Sequence, residues 1–124
     1  MEQKNILIIE DDPRVRKSIG EMFSENCKVE YAENGTEGLF KMTYNKYDLI
    51  ITDLHMPIMD GITMLQELKM DPNYTRNIPV LMLTTEANKE LKQKGQQAGV
   101  SRWLLKPVTT QVLFRILDSI EAKL

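Results

Sequence analysis

Five short apolar runs, at 5–9, 28–32, 48–52, 79–83 and 101–105, alternate along the chain with longer segments in which apolar residues return every three or four positions. Short runs bounded by turn residues predict buried strands, and the longer period predicts amphipathic helices. Their alternation predicts repeated βα units, an α/β domain of the (βα)5 kind around a parallel sheet. The first helix is expected to start at Pro13 with Asp12 as its cap, turning Val15, Ile19, Met22 and Phe23 inward. Thr36 to Lys46 is expected to form the second. Residues 61–70, after the Asp60-Gly61 turn, carry Ile62, Met64, Leu65 and Leu68 as the stripe of the third. A fourth begins near Glu86 and is closed by Gly99. The last runs from about Thr109 to Ala122 with Val112, Leu113, Ile116, Leu117 and Ile120 facing inward.

The chain has 124 residues, 42% of them hydrophobic and 27% charged, room for one domain over 1–124 with one good core. A net charge of −2 gives no reason to expect nucleic acid or an anionic membrane as the main partner. Cys27 is the single cysteine and has no internal disulfide partner; it is expected to be inert. Met1 to Asn5 leads straight into a strand rather than into a signal-peptide core, and no apolar stretch is long enough to span a bilayer. The expected compartment is the cytoplasm.

The chemistry gathers where strands end. Ile6-Leu7-Ile8-Ile9 runs into Glu10-Asp11-Asp12, Asp48 to Thr52 runs into Asp53 ahead of His55-Met56-Pro57, Thr84 follows Pro79 to Leu83, and Lys106 follows Trp103-Leu104-Leu105. In an open doubly wound sheet, ligands bind outside the carboxyl ends of the strands where chain order reverses. Glu10, Asp11 and Asp53 brought together would repel one another unless a cation were bound. Oxygen donors without a Cys or His cluster favour Mg²⁺, or Mn²⁺ in its place. Asp11 and Asp53 are expected as direct ligands, with Glu10 acting through water. Phosphoryl transfer onto an aspartate needs in-line positioning and neutralisation of the equatorial oxygens, which Mg²⁺, Lys106, Thr84 and backbone amides can share. Taken alone, Glu10-Asp11-Asp12 reads as a solvated helix-capping turn, with Asp12 as the cap.

Nearly the whole chain resembles the receiver domains of two-component response regulators. The resemblance rests on Glu10-Asp11, on Asp53 with Met56-Pro57 and Asp60-Gly61 behind it, on Thr84 in Leu81-Met82-Leu83-Thr84, and on Lys106-Pro107. It implies a flavodoxin-like fold with strand order 2-1-3-4-5, Asp53 as acceptor of a phosphoryl group from a histidine kinase, and a metal site that includes the backbone carbonyl of His55. It also implies that Lys106 pairs with the phosphoryl group and that the Lys106-Pro107 bond is cis. Among receivers the chain is similar to stand-alone CheY-type chemotaxis regulators, through Thr84-Thr85-Glu86, Lys94-Gly95, Ala98-Gly99, Trp103 and Lys106-Pro107. That likeness implies a CheA-like kinase as donor, a flagellar switch component or a phosphatase as downstream partner, and a helix 4, strand 5, helix 5 face that reports phosphorylation. Thr84 and Trp103 would form the switch, with Trp103 standing where Tyr or Phe is usual. His55 and Glu86 would flank the path of hydrolytic water and tune the lifetime of the acyl phosphate.

Other readings stand beside this one. A phosphate sink and a receiver excised from a larger regulator share the same chemistry. An aspartate-nucleophile phosphohydrolase of the haloacid dehalogenase kind would place an Asp where His55 stands and would need room for a cap domain. A flavodoxin-like cofactor binder would need phosphate donors after the first strand, where Glu10-Asp11-Asp12 would repel instead. A binding module that needs no phosphorylation would have no use for the acid, Thr and Lys set. His55 also reads as a plain loop residue, Trp103 as packing, Met22, Met64 and Met82 as core filling, and Lys89, Lys92 and Lys94 as a solvated basic face.

Overall fold

The apolar runs become β1 (Lys4–Ile9), β2 (Cys27–Ala32), β3 (Leu49–Asp53), β4 (Val80–Thr84) and β5 (Arg102–Leu105). The longer segments become α1 (Pro13–Glu21), α2 (Gly35–Tyr44), α3 (Gly61–Met70), α4 (Lys89–Ala98) and α5 (Thr110–Glu121). The protein is seen here as a computed structural model that describes residues 4–23, 27–72, 74 and 77–121. Met1 to Gln3, the side chain of Ile120 and the expected helix end at Ala122 lie outside the described residues. All five strands pair in parallel in the order β2-β1-β3-β4-β5, so the order of strand addition reverses between β1 and β3.

Because parallel strands need crossover helices, both faces of the sheet are covered, and the central strands are apolar except at their ends. Alternate residues feed two cores. Leu7, Ile9, Ile50 and Met82 pack with Met42, Met64, Leu65, Leu68 and Ala98 from α2, α3 and α4. Ile6, Ile8, Leu49, Ile51, Leu81 and Leu83 pack with Ile19 of α1 and Leu113 of α5. Among the described residues, the buried polar or charged side chains are Glu10, Thr52, Asp53 and Thr84. Every one of them sits at the carboxyl end of the sheet.

Several boundaries differ from the sequence pattern for local reasons. Asp53 and Thr84 are the last residues of β3 and β4 rather than the first beyond them, since Asp53 still pairs with Leu83 and Thr84 with Leu105. α4 starts at Lys89, later than Glu86, because the Asn88 side chain accepts from the Glu90 and Leu91 amides and caps the helix there. α2 starts at Gly35 behind an Asn34 cap and stops at Tyr44, short of Lys46. Met22 and Phe23 fall beyond the end of α1, although Phe23 is buried. Val112 does not face inward: it is 39% exposed, because Leu113 takes the centre of the buried stripe and its neighbour lies about 100° around the helix. Asp12 caps α1 as expected, and Gly99 closes α4 with φ 111°.

The β3–α3 turn is tightly made. Ile58 has φ 75°, a left-handed conformation that a β-branched residue adopts at a cost of about 1–2 kcal/mol. Asp60 caps α3 by accepting from the Thr63 amide at 2.7 Å, and the Gly61 amide donates to the Leu54 carbonyl at 2.8 Å. A methyl group on Gly61 would lie 2.4 Å from the backbone oxygen of Asp53, so α3 approaches β3 as closely as it does only because residue 61 has no side chain. Gly61→Ala is expected to destabilise the fold by about 1–3 kcal/mol, the usual cost of overpacking, measured as a lowered midpoint in urea unfolding at unchanged m-value.

Candidate functional site

The end of β3 and the residues just past β1 and β5 bring three acids and one lysine to one place. A carboxylate oxygen from each of Glu10, Asp11 and Asp53 lies within 4.8 Å of the others. The Lys106 ammonium donates to both Glu10 oxygens, at 3.1 and 3.3 Å, and to Asp53 Oδ2 at 3.0 Å. Asp53 Oδ1 accepts from the Leu54 amide at 2.8 Å. Backbone bonds extend the ladders just past the strands and aim these side chains: the Glu10 amide donates to the Ala32 carbonyl at 3.0 Å, and the Lys106 amide to the Thr84 carbonyl at 2.9 Å. The Lys106-Pro107 bond is cis, as the resemblance implied.

Burial makes this cluster electrostatically tense. Burial first, then the hydrogen bond to Asp53 and its charge, push the Glu10 carboxyl up to about 7, with Lys106 pulling the other way. Burial would lower the Lys106 ammonium, but its bonds and charge attraction to Asp53 and Glu10 outweigh that and hold it above the ordinary lysine value. One lysine therefore does not fully neutralise the acids. An oxygen-only set with surplus negative charge and an exposed Asp11 at its mouth fits a hard divalent cation such as Mg²⁺.

Thr84, Trp103, His55 and Glu86 lie on a second line of contacts. Thr84 is buried, and its hydroxyl oxygen accepts from the Glu86 amide at 3.1 Å, with no hydrogen bond to the acids. His55 Nε2 lies 3.4 Å from Glu86 Oε1, an exposed pair reaching from the β3–α3 turn to the β4–α4 loop. The Trp103 indole N–H donates to the Glu86 carbonyl at 2.8 Å. A methyl group on Gly95 would lie 2.9 Å from the indole, so the ring rests directly on α4. The sequence singled out every one of these residues but not their pairing through Glu86.

It missed Arg16. That guanidinium donates to the Glu10 carbonyl at 2.8 Å, and its only sequence signal was a basic residue next to an inward-facing Val15. A cleft of about 580 Å³ also opens between α1 and the segment after β5, lined by Val15, Ile19, Met22, Lys106, Pro107 and Val108; Glu10, Asp11 and Asp53 do not line it.

The raised Glu10 value has a stability consequence. Below the unfolded carboxyl value near 4.5 the group is neutral in both states and costs nothing; from there to about 7 the unfolded chain ionises first, so stability falls as pH rises. Glu10→Gln is expected to raise the melting temperature relative to the parent in EDTA, more at pH 8 than at pH 5, with added Mg²⁺ narrowing the gap at pH 8. Thermal scans at the two pH values check this.

Residues 6–118 match the model of the response regulator receiver domain family. A hybrid signal transduction histidine kinase D from Dictyostelium discoideum is 38% identical over 108 residues, which are 87% of this chain and 7% of that protein. The chain thus spans a small part of that relative. The chemotaxis protein CheY4 of Vibrio cholerae superposes with a TM-score of 0.84 at 32% identity, over 94% of this chain and 98% of that one. The receiver domain of the sensor histidine kinase PA1611 from Pseudomonas aeruginosa, solved with a magnesium ion coordinated in its active site cleft, gives a TM-score of 0.83 at 29% identity, over 94% and 96%. Receiver domains are regulatory phospho-acceptors that pair with histidine kinases, and the acids described above stand at the switch point of this fold. The chain belongs to the response regulator receiver domain family.

Proposed function

We propose that this chain is a phosphorylation-activated switch in which Asp53 accepts a phosphoryl group from a sensor histidine kinase, assisted by Mg²⁺ at Glu10, Asp11 and Asp53. The observation that carries this reading is the Lys106 ammonium bonded to both Glu10 and Asp53 beside the exposed Asp11. Mg²⁺, when bound, would neutralise charge on the acids and on the transferring group. Asp11 and Asp53 would hold it directly, the His55 carbonyl would complete one side, and Glu10 would act through water. One Asp53 oxygen forms the new P–O bond as the donor's P–N bond breaks and the imidazole leaves with that electron pair. Lys106, already on Asp53 Oδ2, needs only to follow the charge onto a phosphoryl oxygen. Thr84 would exchange its bond from the Glu86 amide for one to the phosphoryl group.

The Thr84 shift would disturb the loop that holds Trp103 through the Glu86 carbonyl, and so the surface of α4, β5 and α5. That surface exposes Leu105, Val112 and Phe114, apolar area suited to a protein partner. A role in chemotaxis-like signalling, with a CheA-like kinase and a flagellar switch component or phosphatase as partners, is supported by the likeness to the CheY4 structure. A cytoplasmic location suits such partners; among the described residues, no helix is long and apolar enough to cross a membrane. The alternative, a receiver that works as part of a larger regulator, is supported by the small share of the curated relative that the chain spans. A phosphate sink would share the acceptor and lack the output. A hydrolase with turnover is disfavoured by His55 at the position where an acid/base Asp would be needed.

Intact mass after incubation with Mg²⁺ and acetyl phosphate is expected to show one added phosphoryl group on the parent and none on Asp53→Asn, with a change in Trp103 fluorescence in the parent alone. If beryllofluoride and acetyl phosphate both leave mass and fluorescence unchanged, the phosphorylation-independent module replaces this reading. The His55–Glu86 pair, 61% and 44% exposed, is worth at most about 1 kcal/mol, so it tunes rather than sets the lifetime of the acyl phosphate. His55→Ala and Glu86→Ala are each expected to change the dephosphorylation rate by up to about fivefold, and the double variant by no more than either. Loss of the phosphoryl mass with time measures this, and additive effects would show that the two residues act separately.

A further inference from the structure

We propose that Arg16 is a positioning residue for the acidic cluster, holding the peptide between Glu10 and Asp11 in the orientation that lets both carboxylates share a cation with Asp53; this rests on the Mg²⁺-assisted reading above. α1 carries two arginines in its first turns with opposite fates. Arg14 is 92% exposed, whereas the Arg16 side chain is 17% exposed and turned toward the connections after β1 and β2. Its Nη1 donates to the Glu10 carbonyl oxygen at 2.8 Å, and its Nη2 lies 3.9 Å from Glu33 Oε1 in the β2–α2 connection. The planar fork thus spans two loops, something a lysine's single nitrogen does less well.

The carbonyl it holds belongs to the peptide whose nitrogen is that of Asp11. Turning that plane would swing Asp11 relative to Glu10. The other side of Glu10 is already tied, since its amide donates to Ala32. With both sides held, the β1–α1 junction keeps Glu10 and Asp11 within 4.8 Å of Asp53 despite their mutual repulsion. Groups that orient ligands from behind commonly change metal affinity by about 10- to 100-fold when removed.

A charge effect and a positioning effect have opposite signs. Arg16 adds positive charge beside an acidic cluster, so if charge were its whole role, removing it would tighten Mg²⁺. Titration of Mg²⁺ into parent, Arg16→Met and Arg16→Lys, followed by calorimetry and by Trp103 fluorescence, separates the two. Arg16→Met is expected to weaken Mg²⁺ binding about tenfold, and Arg16→Lys, which keeps a donor but not the fork, to recover only part of that loss. Melting temperatures in EDTA identify the folded variants; a purely structural role would lower them and leave the Mg²⁺ affinity of the folded protein unchanged. Should Arg16→Met fail to fold, Arg16→Gln, which also removes the charge but keeps a polar side chain of shorter reach, takes its place and is expected to weaken Mg²⁺ about threefold. Unchanged or tighter Mg²⁺ binding in the folded variants overturns the proposal. Absence of Mg²⁺ binding by the parent itself overturns the Mg²⁺-assisted reading and this inference with it, whereas Asp11→Asn losing Mg²⁺ while Arg16→Met keeps it overturns this inference alone.

Discussion

The Lys106 ammonium lodged between Glu10 and Asp53 is the interaction on which the site depends. Three acids gathered at one end of a buried sheet repel one another, and a single lysine leaves that repulsion only partly answered. The residue shows it: Glu10 prefers to be neutral up to about 7. A divalent cation, if bound there, would relieve that repulsion. The site is thus held in a state that the proposed chemistry would improve. Structures of this kind are common where function outranks stability.

The fold makes the tension affordable by confining it. Buried strands covered on both faces form two apolar cores, and the buried polar side chains among the described residues are all at the carboxyl ends. There the strand order reverses and helices diverge, leaving room for charged groups and for ligands. The same end of the sheet also carries the contacts that run on toward β5. Glu86 joins His55 through its carboxylate and Trp103 through its carbonyl, so the β3–α3 turn and the β5 edge share one loop. The Trp103 ring then rests on α4 at Gly95, where no side chain intervenes.

The differences between pattern and structure are instructive one by one. Strand ends moved by a residue because a run of apolar side chains does not record where backbone pairing stops; Asp53 is polar and still paired with Leu83. The α4 start moved because the Asn88 cap, a local hydrogen-bonding event, outweighs the acidic residue that seemed to open the helix. Val112 fits the apolar pattern of α5, but burial follows angular position, and Leu113 occupies the centre. Arg16 carries no local signal, because a helical arginine is most often solvated and nothing near it in the chain announces the Glu10 carbonyl.

The chain by itself determined the βα alternation, the cap at Asp12, the Gly99 stop and the residue types available at the strand ends. These are local properties: period, turn chemistry and capping act within a few residues. Only the tertiary structure decided which of those ends meet. Lys106 reaches Glu10 across 96 positions and Asp53 across 53, and it does so because β1 and β3 are neighbours with a particular register. Ion pairs and hydrogen bonds act over a few ångströms. The order of strands therefore sets whether three acids and a lysine are scattered charges or one site.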